Sequence, residues 1–199
     1  MLTIRPYRAD DLAACYGICV RTGAAGHDAR GKFGSDELLG DLFAAPYLAL
    51  EPQCAFVLTD DDVPVGYVLG TADTPAYVRR YREIWVPRLL ERYPGEPAAS
   101  DRSLLQLGLH PENMLVPGLE AYPAHLHIDL LPQVQGGGHG RALIERFLRT
   151  VHTAGAPAVY LGMDPANTRA LGFYERLGFR VLEVGDPDDL YLGRPTAAP

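Results

Sequence analysis

Hydrophobic positions recur with two different periods along the chain. Leu143, Ile144, Phe147, Leu148 and Val151 return at helical spacing and form one apolar stripe, which predicts a helix from Gly140 onward. Arg141 and Glu145 are an i,i+4 pair on its polar face, and Gly155 is a natural stop. Upstream, Ala124 to Leu131 alternates: Leu126, Ile128 and Leu130 on one side, His125, His127 and Asp129 on the other. That is a strand with a polar stripe. Ala158 to Met163 reads as a second buried strand, and Asp164-Pro165 as the N-cap and first residue of a further helix.

The N-terminal half follows the same logic. Leu2 to Tyr7 is a short strand. Asp10-Asp11 caps a helix with Leu12, Cys15, Tyr16, Cys19 and Val20 on one side. Gly23 to Gly34 is a polar loop, and Ser35 to Leu39 starts a second short helix that ends near Pro46. Cys54 to Thr59 and Val63 to Thr71 are strands joined by a hairpin turn at Asp60-Asp61-Asp62. Gly66 and Gly70 mark places where another backbone comes close. Arg180 to Val184 and Leu190 to Gly193 form a closing hairpin through Gly185 to Asp189, and Arg194 to Pro199 is a loose tail.

Between the polar-striped strand and the amphipathic helix lies Gln135-Gly136-Gly137-Gly138-His139-Gly140. Amides at a helix start have no intrahelical partner, and the helix dipole favours an anion there. Glycines let a phosphate approach the backbone. No Lys-Ser/Thr follows, as a P-loop needs, and the G-x-G-x-x-G order is absent. Gln135-x-x-Gly138-x-Gly140 resembles the Q/R-x-x-G-x-G/A motif of the GNAT acetyltransferase superfamily. Asn167-x-x-Ala170-x-x-x-Tyr174-x-x-x-Gly178-Phe179 resembles the second signature of that superfamily. The run Tyr122 to Pro132 is similar to bacterial acetyltransferases related to the C-terminal acetyltransferase-like domain of O-GlcNAcase.

The resemblance implies an α/β (α+β) fold: a mixed, mostly antiparallel central sheet with helices on both faces. It implies one N-acetyltransferase-like domain over 1–199, acetyl-CoA as cofactor, and acetyl transfer to a primary amine of a small molecule. Acetylation of a protein lysine or N-terminus is the alternative; a non-catalytic coenzyme A-binding module is another. Carried onto this chain, backbone groups at Leu130, with Leu131 or Val134 nearby, meet the thioester and pantetheine arm. Gln135, Gly136, Gly137, Gly138, His139, Gly140 and Arg141 form the pyrophosphate loop. Asn167 touches the arm, and Tyr174 is the general acid. Independently, Asn167 and Tyr174 are two helical turns apart and share a face.

The general base stays open. His127 or Asp129 could relay a proton, alone or as an Asp–His pair. A hydrogen-bonded structural network explains the stripe equally well, because buried polar groups must be paired or line a cavity. A metal site on His125, His127 and Asp129 is the third reading, though the chemistry requires no metal.

Residues 75–123 depart from the family pattern as a long insertion before the fourth strand. Ala76 to Leu90 reads as an aromatic-rich helix that Pro87 ends or kinks. Tyr93 to Pro97 is a linker, and Ser103 to Leu107 is strand or helix. Tyr77, Tyr81, Trp85 and Tyr93 argue for order. The insertion either walls the acceptor pocket, as a lid, or docks on the core through Tyr81 and Trp85. Composition adds limits. A net charge of -7 argues against nucleic acid as partner. Cys15, Cys19 and Cys54 lack metal spacing and read as core thiols. No signal peptide or membrane-length apolar run is visible, so the expectation is a soluble cytoplasmic protein. High Ala, Gly, Pro and Arg usage with little Lys suggests a bacterial source.

Overall fold

The computed structural model describes residues 1–185 and 189–197. Among the described residues seven strands form one sheet: β1 (Leu2–Pro6), β2 (Phe56–Asp60), β3 (Val63–Thr71), β4 (Ala124–Leu130), β5 (Ala158–Met163), β6 (Arg180–Leu182) and β7 (Leu190–Pro195). Their spatial order is β1-β2-β3-β4-β5-β7-β6. Every neighbouring pair is antiparallel except β4 and β5. This is the mixed, mostly antiparallel sheet implied by the resemblance. Among the described residues no helix is long and apolar enough to cross a membrane.

Helix α1 (Leu12–Thr22) packs on β3 and β4 from one side, followed by α2 (Leu38–Phe43) and α3 (Ala45–Leu50). Leu12, expected on the core side, is exposed; Cys15, Ile18, Cys19 and Val20 carry the buried face. Helix α2 ends at Phe43, near Pro46, which itself sits in the first turn of α3, where a missing amide costs nothing. The two-residue turn between β2 and β3 is Asp61-Asp62, both at positive φ, which matches the twist of a tight hairpin.

On the other side α7 (His139–Thr153) crosses β2, β3 and β4. A side chain on Gly70 of β3 would lie 2.1 Å from the His125 carbonyl oxygen and 2.6 Å from the Phe147 ring, so only glycine allows this approach. Helix α8 (Thr168–Glu175) starts later than expected. Its cap is Asn167, whose side chain accepts from the Ala170 amide at 3.1 Å. Asp164 instead closes a local turn on the Ala166 amide at 2.8 Å.

The insertion is ordered. Helix α4 (Thr74–Arg80) passes through a π-turn over Tyr81–Trp85 into α5 (Val86–Arg92), so Pro87 falls in the first turn of a new helix. Residues Arg102–Leu109 form helix α6, which resolves the strand-or-helix alternative. Arg194 and Pro195 are part of β7, not a tail, and the Thr196 amide donates to the Pro157 carbonyl at 3.0 Å. The turn expected at Gly185 to Asp189 lies at 186–188 outside the described residues, as do 198–199 of the expected tail.

Asp41 ties the insertion down. It is 3 % exposed; its carboxylate accepts from Tyr16 at 2.5 Å and from Tyr93 at 2.6 Å, and forms an ion pair with Arg92 at 2.6 Å. Its carbonyl accepts from the Trp85 indole at 2.8 Å. Trp85 therefore docks the insertion. Replacing Asp41 by Asn should cost about 3 kcal/mol, because it leaves a buried network half-paired. Urea denaturation measures the loss, and hydrogen exchange should rise first over 86–109. A variant within about 0.5 kcal/mol of wild type would contradict this.

Candidate active site

Strands β4 and β5 begin as a parallel pair and then part. Ala124 faces Val159 and His125 faces Tyr160; from there β5 pairs with β7 alone. The Leu131 amide donates to the Val65 carbonyl of β3 at 3.0 Å. Successive residues of a strand aim their backbone groups at opposite edges. Ile128 and Leu130 therefore turn theirs to the edge that β5 has left. The Gln135 side chain donates to the Leu130 carbonyl at 2.8 Å and fastens the loop to the strand end.

A cavity of about 500 Å³ opens beside the split. Leu130, Gln135, Gly136, Gly138, Gly140 and Arg141 line its loop end. Asn167 and Tyr174 reach it from α8, and Asp129 from β4. Gly138 caps α7 at φ 83, a left-handed conformation that favours glycine. A side chain added at Gly136 or Gly138 would meet nothing within 4 Å, so the loop is an open cradle under the positive end of α7. Arg169 and Arg176 add charge to the same wall. An extended, anionic ligand fits this chemistry. Four predicted loop residues stay out of the lining. Leu131 and Val134 bury their side chains in the core, at 3 % and 7 % exposure. Gly137 is covered by the ring of His139, whose Nε2 would be 2.9 Å from a side chain there.

Tyr174 is 8 % exposed, packed edge-on against Phe179 and tilted against Phe173. Its hydroxyl faces the cavity with no hydrogen-bond partner among the described residues. Burial, and then the Asp129 charge, push its pKa up, so it keeps its proton at neutral pH. Asp129 accepts from the Tyr67 hydroxyl at 2.6 Å and from Thr22 at 2.9 Å. Burial raises its pKa, and the two hydrogen bonds oppose that rise.

A second cavity, of about 240 Å³, lies along the same strand. His125 and His127 of β4 line it with Tyr160 of β5, Tyr47 of α3, and Tyr81 and Met114 of the insertion. The Thr74 hydroxyl donates to the Pro123 carbonyl at 2.8 Å, which can only accept. That makes His125 Nδ1 the donor to Thr74 at 2.7 Å. His125 Nε2 then accepts from the Tyr47 hydroxyl at 2.7 Å, and the Tyr47 oxygen accepts from His127 Nε2 at 3.1 Å. The opposite order would make one bond fewer. His127 is left with an unprotonated Nδ1. Of the alternatives left open, the Asp–His pair does not form: Asp129 is bonded by Tyr67 and Thr22, His127 by Tyr47. His125, His127 and Asp129 accordingly do not converge as metal ligands. Nothing in the sequence singles out Tyr47, Thr74, Tyr67 and Thr22 as partners of this stripe. The signal was indirect: a buried polar stripe must find donors on whatever faces it.

Residues 107–179 match the family model for the acetyltransferase (GNAT) family. The crystal structure of SsHAT is 51% identical, covers 99% of both chains and superposes with a TM-score of 0.93. The chain belongs to the GNAT acetyltransferase family. It is an N-acetyltransferase, and acetyl-CoA is its cofactor. Mouse Protein O-GlcNAcase (Mus musculus) is 28% identical over 202 residues, 96% of this GNAT chain but only 22% of that protein. Peptidyl-lysine N-acetyltransferase YjaB of Salmonella typhimurium is 38% identical over 72 residues, 35% of this chain and 45% of that one.

Burial pulls His125 down to about 3 and His127 to about 4, from 6.5. Between those values the unfolded chain binds more protons than the folded one. Stability is therefore full above about pH 6.5 and falls as pH drops toward 4. Asp129, shifted upward, works in the opposite sense at the acid end of that window. His125→Asn should remove about one proton from the slope, or ~1.4 kcal/mol per pH unit. Urea denaturation between pH 4.5 and 7.5 reads it; an unchanged slope would place the His125 shift elsewhere.

Proposed function

We propose that this enzyme transfers an acetyl group from acetyl-CoA to the primary amine of a small molecule, with His127 as general base and Tyr174 as general acid. The observation that carries the reading is the pair of cavities along one strand, one bounded by the glycine loop and α8, the other by neutral histidines. Acetyl-CoA supplies the acetyl thioester.

Gly136, Gly138, Gly140 and the start of α7 hold the pyrophosphate, with Arg141 beside them. Asn167 meets the pantetheine arm. The Leu130 amide, turned to the open edge of β4, donates toward the thioester oxygen. His127 Nδ1 takes the proton from the incoming amine; its Nε2–H is already committed to Tyr47, which fixes the ring. Tyr174 gives its proton to the departing sulfur. Asp129 is spent on Tyr67 and Thr22 and fits a structural role better than that of a base. The insertion walls the acceptor cavity through Tyr81 and Met114.

The match to a peptidyl-lysine acetyltransferase favours a protein acceptor as the second reading. The small volume of the cavity, about 240 Å³, weighs against a peptide. The cavity-facing hydroxyl of Tyr174 weighs against a non-catalytic module. Three buried, unpaired cysteines support a reducing, cytoplasmic location.

Tyr174→Phe should lower kcat roughly 100-fold and leave the acetyl-CoA dissociation constant within about twofold. Tyr47→Phe keeps the ring stacked on Tyr77, at 4.6 Å between centroids, but removes the partner of His127. It should lower kcat alone, and ¹⁵N NMR should find His127 as the Nε2–H tautomer in the wild type only. Unchanged turnover in Tyr174→Phe would remove the acid; an Nδ1–H tautomer in the wild type would remove the base.

A further inference from the structure

The acceptor cavity contains a selection by charge, an inference that rests on the proposed amine acetylation. We propose that it admits a primary monoamine carried on a short apolar or ring-bearing body, and excludes diamines and basic peptides.

Three observations support this. First, no Asp or Glu lines the cavity among the described residues; the walls are mostly apolar or aromatic, Leu42, Phe43, Leu107 and Met114 among them, with His110 and Asn113 as polar members. Second, the carboxylates nearest in sequence to those walls are already spent. Asp41 precedes Leu42 and is held by Arg92, Tyr16 and Tyr93. Glu112 precedes the lining Asn113 and is held by Arg82, with Nε at 2.8 Å. Asp129, two residues beyond His127, lines the other cavity and accepts from Tyr67 and Thr22. Third, the polar side chains of the wall, His110, Asn113 and Tyr191 among them, include no anion, and two of the others suit one neutral amine. His127 offers one lone pair. The Tyr81 hydroxyl, on a residue 2 % exposed, has no hydrogen-bond partner among the described residues and can serve one small polar group.

A second ammonium would enter an apolar space without a counter-charge, which costs far more than an apolar chain gains there. The volume of about 240 Å³ falls below the ~300 Å³ lower end of common ligand clefts, so the body must be short.

The test compares n-hexylamine with 1,5-diaminopentane, matched in length, alongside phenethylamine and a lysine peptide, by thiol release at saturating acetyl-CoA. The expected kcat/KM ratio of hexylamine to diaminopentane is at least ~100. Leu107→Asp places a carboxylate on the wall at a position already 43% exposed, so the fold should tolerate it. It should shrink that ratio at least tenfold. A diamine or lysine peptide that matches or beats the monoamines overturns the proposal, as does an unchanged ratio in Leu107→Asp. If no amine turns over, amine acetylation itself fails, and binding decides the selectivity. A rise in melting temperature of the coenzyme A-saturated protein with hexylamine but not diaminopentane still supports it; equal shifts, or none, overturn it.

Discussion

The parting of β4 from β5 is the constraint on which the rest of the molecule depends. A strand edge in the middle of a sheet carries amides and carbonyls that must be paired or solvated. Here the pairing of β4 with β3 runs unbroken from Thr71↔His125 to Gly66↔Leu130, while β5 turns to β7. The strand is thus held on one edge and open on the other. Gly70 lets the β4 backbone and α7 close tightly underneath, and Gln135 secures the far end at Leu130. An open edge beside a helix N-terminus is what an acyl thioester on a long anionic arm can use.

The polar stripe on β4 is divided between two networks with different consequences. Asp129 joins Thr22 of α1 to Tyr67 of β3 and helps fix α1 over the sheet. His125 and His127 face Tyr47 and Thr74, which belong to α3 and to the first turn of α4, the helix that leads into the insertion. The insertion is therefore coupled to the histidines at one end and clasped by Asp41 at the other. Its docking and the tautomer of His127 are consequences of the same packing.

Periodicity locates the helices that have one buried face, α7 above all, whereas β2 and β3, buried on both faces, are legible as short apolar runs bounded by turns. The GNAT family was legible in two short motifs, since phosphate binding and helix capping both demand particular residues at fixed spacing. Element starts were less legible. Asp164 and Asn167 are both good caps, and only tertiary context selects Asn167. A helix does end near Pro46, at Phe43, and the helix through the insertion does change at a π-turn just before Pro87, but both prolines then sit in the first turn of the helix that follows. The partners of the polar stripe were invisible because Tyr47, Thr74, Tyr67 and Thr22 come from distant parts of the chain. Trp85 and Tyr81 looked alike at helical spacing, yet one docks on the Asp41 carbonyl and the other lines the cavity.

The most direct test of the account is residue-resolved amide hydrogen exchange along β4, with and without acetyl-CoA. If the open edge receives the thioester arm, the Leu130 amide should exchange readily in the free protein and become protected at saturating acetyl-CoA. The Leu131 amide, already bonded to Val65, should change little. Saturable binding that leaves Leu130 exchange unchanged would contradict the central claim and place the ligand somewhere other than the split.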